Sequence, residues 1–270
     1  MERRTPVFII CSRRPRVGKT LVARLLIEFL RGDGRSVAAF DINPDDFALA
    51  DCLPGHAAIA SIAGTLGQIA LFDKLVIDDG TAKILDVGAS SFERFFALVH
   101  ELGFVQEANR RALQPVVLFM ADPDRRSIQA YADLQGRWKD IILVPVYNGA
   151  VVREQQARKC FPARQAGRVP VRIPPLEPFL KAIIDKPGFS FVGFLRRPGD
   201  VETGLHAWIK RCFLEFRDLE MRLLLEEMRS SLQFATAGPP MTSAPMLPPS
   251  QSAFPPGKRP AQDRRRDPPV

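Results

Sequence analysis

Apolar residues along this chain fall into two alternating rhythms. Short, mainly apolar stretches occupy 7–10, 36–40, 82–85, 115–120, 141–147 and 169–173 and predict strands. The first, Val7–Ile10, has no polar alternation, as a strand buried on both faces would. Between them apolar residues recur every three or four positions, as helices packed by one face require. Leu21, Leu25, Leu26, Phe29 and Leu30 predict a first helix, which Gly32 and Gly34 stop. Helices are also expected over 67–76, 125–135 and 179–184, and after Ser90, where Phe92, Phe95, Phe96 and Val99 carry the rhythm. A long helix over about 201–232 carries Leu205, Ile209, Cys212, Phe216, Leu219 and Leu223, a stripe suited to packing on the sheet or on a partner helix. Residues 46–80 are otherwise hard to read, and no chemistry is assigned to them. Strands alternating with helices predict βαβ units, and so an α/β fold with a mostly parallel sheet flanked by helices.

The pattern ends near residue 234. Ten of the 24 prolines fall within 235–270, where aliphatic residues are few, so a folded region over 1–234 and a disordered Pro-rich basic tail over 235–270 are expected. The chain has 270 residues, 46% of them hydrophobic, which suffices for one sizeable core. A net charge of +8 favours an anionic partner, whether nucleotide, nucleic acid or lipid headgroup, without choosing among them. Cys11, Cys52, Cys160 and Cys212 are scattered with no CxxC pair, and read as reduced thiols rather than zinc ligands. No apolar run approaches the roughly 18 residues of a membrane span, and a cytoplasmic protein is expected.

The chemistry concentrates where the first strand breaks. After Cys11 the chain runs Ser12-Arg13-Arg14-Pro15-Arg16-Val17-Gly18-Lys19-Thr20 into the first helix. Backbone N–H groups at a helix N-terminus lack intrahelical partners and carry the positive end of the helix dipole, so they bind anionic oxygens. In such a phosphate-binding loop Gly18 permits close approach, Lys19 reaches the β- and γ-phosphates and the Thr20 hydroxyl takes a Mg²⁺. Arg13 stands where the usual GxxxxGK[ST] pattern has glycine, Pro15 brings no N–H, and Arg16 brings a Cβ where a positive φ suits glycine. The three arginines surround the same phosphates with positive charge.

Carboxylates close two further strands. Asp41, in Asp41-Ile42-Asn43-Pro44, is placed to meet Mg²⁺ or an attacking water, or serves as a cap in an Asx-Pro turn. Asp86, in Asp86-Val87-Gly88-Ala89-Ser90, suits a water-mediated Mg²⁺ contact and equally a helix N-cap. Asn148 ends a later strand, where its amide could read a base edge or simply form a turn before Gly149.

Taken together, "RRPRVGKT", "VAAFDINPD", "AKILDVGAS" and the later "VPVYNG" resemble the deviant Walker A ATPases of the ParA/MinD family, over roughly residues 6–190. The resemblance implies a three-layer α/β/α P-loop NTPase that binds ATP with Mg²⁺ and forms a homodimer over it. It implies phosphate and Mg²⁺ roles for Lys19 and Thr20, water activation by Asp41, a Walker B role for Asp86 and base contact by Asn148. Arg14 occupies the place of the lysine that reaches across the dimer, and so inherits a catalytic role. Pro15 and Arg16 replace two glycines, and Asn43 replaces a second aspartate. An ATP-dependent switch that positions or regulates a protein partner is therefore expected, with DNA or anionic membrane contact through the basic surface and tail. The alternative is a non-catalytic adaptor that keeps the fold.

Overall fold

The computed structural model describes residues 4–43, 48–138, 141–162, 169–197 and 204–236. Every strand expected from the sequence is present: β1 (Thr5–Cys11), β2 (Val37–Ile42), β4 (Ala82–Val87), β5 (Leu113–Met120), β6 (Ile142–Asn148) and β7 (Val171–Ile173). A seventh, β3 (Ala57–Ile59), comes from the stretch that resisted reading. The seven form one sheet in the order β3-β2-β4-β1-β5-β6-β7, and every pairing is parallel.

Side-chain alternation divides the core into two layers. Val7, Ile9 and Cys11 of β1 face one side, while Phe8 and Ile10 face the other. On the second side lie α1 (Lys19–Gly32), α2 (Ala48–Cys52), α8 (Pro178–Ile184), α9 (Phe191–Leu195) and α10 (Gly204–Thr236). On the first lie α3 (Thr65–Leu75), α4 (Phe92–Glu101), α5 (Phe104–Arg110), α6 (Arg125–Arg137) and α7 (Glu154–Cys160). The result is a three-layer α/β/α fold. Right-handed crossovers dictate which helix goes where. From β1 to β3 the chain steps toward one sheet edge and its helices fall on the α1 face; from β3 to β7 it steps back, and they fall on the other. The connection leaving central β1 and the one leaving its neighbour β5 run in opposite directions on opposite faces, so a crevice opens between their carboxyl ends, where open α/β sheets bind ligands.

The expected stripe of α10 is buried from Leu205 to Leu223 and packs with α1, where Phe29 meets Phe213 and Phe216. α2, β3, α5, α7 and α9 were not expected; the longest of them has seven residues. The compact unit holding the sheet ends at Ser230. Of the expected tail, 237–270 lies outside the described residues. No described helix is long and apolar enough to cross a membrane.

Candidate functional site

β1 delivers the chain to the crevice at Cys11, and residues 12–18 fold over its carboxyl end before α1 begins at Lys19. Gly18 caps α1 with a left-handed backbone, φ 95°, and no side chain occupies the helix N-terminus; its first turn carries no acidic residue. Among the described residues no side-chain cap hydrogen bond occupies those N–H groups. A Cβ on Gly18 would lie 2.6 Å from Asn148 Nδ2, which requires glycine twice over, by conformation and by space. The Asn148 amide supports the loop directly: Nδ2 donates to the Val17 carbonyl at 3.0 Å, and Oδ1 accepts from the Ala150 N–H at 3.1 Å.

The loop is fixed from beneath by residues that its motif does not announce. Ser12 Oγ accepts from the Arg14 N–H at 3.1 Å and donates to Asp122 Oδ2 at 3.3 Å. Asp122 is fully buried just beyond β5, and its other oxygen accepts from the Asp124 N–H at 2.9 Å. A carboxylate closing a buried strand was its available signal, the same one that Asp41 and Asp86 gave. Arg14 and Pro15 thus leave the loop with no uncommitted N–H at either position: one donates to Ser12, and the other has none.

Lys19 is buried, and its Nζ donates to the Arg14 carbonyl at 3.0 Å, so the loop closes on its own lysine. Burial lowers the Lys19 pKa, opposed by the negative charges of Asp86 and Asp122. Cys11 beneath it is pushed far up by the same burial and stays a neutral thiol. Thr20 Oγ1 donates to Asp86 Oδ2 at 2.6 Å, which joins the hydroxyl and the carboxylate expected to share a divalent cation.

Asp41 and Asp86 are register partners on neighbouring strands. The Asp41 carboxylate is fully buried, and its Oδ2 accepts from the N–H groups of Leu49 at 2.9 Å and Ala50 at 3.1 Å, so it caps α2. Among the described residues lining the cleft above the loop are Arg13, Pro15, Arg16, Gly18, Lys19, Thr20, Asn43 and Asn148; Arg14, Asp41 and Asp86 are not among them. Arg13 reaches back to α4, where its guanidinium meets Glu93 at 2.8 Å and lies over the Phe92 ring at 5.5 Å.

The cleft encloses about 1050 Å³ and extends from the loop to a wall formed by Ile173, Pro174, Leu176 and Trp208. Trp208 Nε1 donates to the Pro174 carbonyl at 2.8 Å, tying α10 to the segment after β7. The lining thus joins cationic loop residues to apolar and aromatic ones, and also includes Lys181 and Asp185 of α8. A cationic loop beside an apolar, aromatic wall suits a ligand with an anionic head and a flat apolar body. Among the described residues no three His, Cys, Asp or Glu side chains gather to hold a metal alone. A divalent cation here would combine Thr20 and Asp86 oxygens with water and the ligand's own oxygens, a donor set that suits Mg²⁺.

No protein-family model matches this chain, and no curated protein matches it. Among solved structures it is similar to the MinD cell division protein of Aquifex aeolicus, with 15% identity, a TM-score of 0.47, and coverage of 79% of this chain and 97% of that one. A second is the MinC:MinD cell division protein complex of the same organism, with 15% identity, a TM-score of 0.45, and coverage of 79% and 96%.

Proposed function

We propose that this chain is a ParA/MinD-like nucleotide-binding protein that takes Mg·ATP into the cleft at the carboxyl end of β1 and dimerises over it. The observation that carries this reading is the uncapped N-terminus of α1 with Lys19 inside the loop and Thr20 bonded to Asp86. Lys19 exchanges the Arg14 carbonyl for phosphate oxygens, the α1 N–H groups receive further phosphate oxygens, and Asn148 lies on the path from loop to base. Mg²⁺, when bound, neutralises phosphate charge beside Thr20 and Asp86. Arg14 is exposed and is not among the residues lining the cleft, and its proposed role is to meet a second copy.

Hydrolysis is proposed to be slow or absent. Asp41, the residue for positioning water, has one oxygen committed to α2, and two loop positions offer no donor to phosphate. The nucleotide then acts as a switch that positions or regulates a protein partner in the cytoplasm, with basic residues available for DNA or an anionic membrane. A second reading, a non-catalytic adaptor, draws on Pro15 and on Lys19 being satisfied by its own loop.

Sedimentation velocity with and without Mg·ATP separates the two. The switch predicts a dimer with Mg·ATP that is absent without it and absent in Lys19→Ala. A monomer under every condition supports the adaptor and contradicts the switch.

A further inference from the structure

Three arginines crowd the loop, and their surroundings divide them. Arg13 is held on α4 by Glu93 and the Phe92 ring. Arg14 is used through its backbone, whose N–H serves Ser12 and whose carbonyl serves Lys19. Arg16 combines what each of the others lacks. Unlike Arg14 it lines the cleft, beside Gly18, Lys19 and Thr20, and unlike Arg13 its exposed side chain makes no hydrogen bond or ion pair among the described residues.

Its backbone is also costly. Arg16 sits at φ 59°, in the left-handed region that a side chain with a Cβ disfavours. Only one other described non-glycine residue does so, Ala112, and there the carbonyl accepts the Thr5 N–H and sets the start of β5 against β1. Among the described residues Arg16 obtains no comparable contact. A strained residue that glycine or asparagine would relieve, lining a cleft with no ion pair among the described residues, points to a contact made with a ligand.

We infer that Arg16 is the loop's phosphate-binding arginine: its guanidinium receives the terminal phosphate oxygens of a nucleotide bound in the cleft of the same chain. The inference rests on the nucleotide reading and moves the cationic role two residues from Arg14, where the resemblance places it. The fork of guanidinium N–H groups matches phosphate oxygens and replaces part of what Arg14 and Pro15 do not donate.

The test compares wild type, Arg16→Gly, Arg16→Asn and, as a control for lost charge away from the cleft, Arg137→Ala. Melting is measured without ligand, and dissociation constants are measured for Mg·ATP and for inorganic tripolyphosphate. Arg16→Gly is expected to melt about 2–4 °C higher than wild type, because the left-handed backbone is relaxed. It is expected to bind both probes about ten- to a hundredfold more weakly. Arg16→Asn, a residue at ease in that conformation, repeats the loss of affinity, and Arg137→Ala does not.

If wild type binds Mg·ATP and Arg16→Gly binds it equally well, the inference is overturned while the nucleotide site stands. If wild type binds tripolyphosphate through Arg16 but shows no affinity for Mg·ATP, the arginine's role holds and the nucleotide reading fails. Failure of wild type to bind either probe overturns both.

Discussion

Lys19 lies at the centre of the loop, and its burial makes its charge a cost that the fold carries without ligand. The direction of its pKa shift fixes a pH dependence. The unfolded lysine keeps its proton to about 10.5, while the folded one releases it earlier. Between those values the unfolded chain binds more protons, so stability rises with pH through that window and levels off above it. Cys11, Tyr147 and Cys212, all raised by burial, act in the opposite sense at high pH and are present in wild type and variant alike, so the comparison with Lys19→Met reads the lysine together with its influence on Cys11. The stability difference between Lys19→Met and wild type, from denaturant melts without ligand, is expected to favour the variant at neutral pH and to shrink as pH approaches 10.5. A difference constant across that range would mean that Lys19 carries no such cost. At the same scale, the Gly-Lys-Thr triplet and Thr20–Asp86 were legible, because each residue type announces its chemistry. The left-handed backbone of Arg16 and its contrast with Arg13 depend on φ and on partners from α4, which no local pattern encodes.

Elements differ in how plainly the chain declares them. β1, β4, β5 and β6 are predominantly apolar and buried along almost their whole length, and such stretches have few alternative structures. β3 has three residues, largely outside the core, and one neighbouring strand, so its sequence carries almost no burial pattern. α2 spans five residues and owes its start to Asp41, near the end of the preceding strand β2. That capping contact gives Asp41 a structural role whatever its part in chemistry. Asp41→Ala is expected to lower stability by about 1–2 kcal/mol without any nucleotide, measured by denaturant unfolding, as loss of a side-chain cap does. An unchanged unfolding midpoint would remove the capping role and return Asp41 to the cleft's chemistry alone. The expectation that Asp41 serves as cap or as water ligand thus acquires a test for each half.

Across the whole molecule, the direction of the crossovers places the site. The connections leaving adjacent β1 and β5 diverge to opposite faces of the sheet, so the loop after β1 opens onto a crevice rather than onto packed helices. The parallel, three-layer order was legible from strands alternating with helices. The sheet order was not, because right-handed crossovers permit several orders and only the packing of both layers selects one. Binding to that crevice stabilises the folded chain in proportion to ligand excess over its dissociation constant, by about 2.7 kcal/mol at a hundredfold excess. The most direct measurement is therefore the thermal melting of the full chain with and without Mg·ATP, beside Lys19→Ala. A working phosphate site predicts an upward shift of several degrees in wild type that disappears in Lys19→Ala. Equal melting with and without Mg·ATP in wild type, or an equal shift in both proteins, would contradict it.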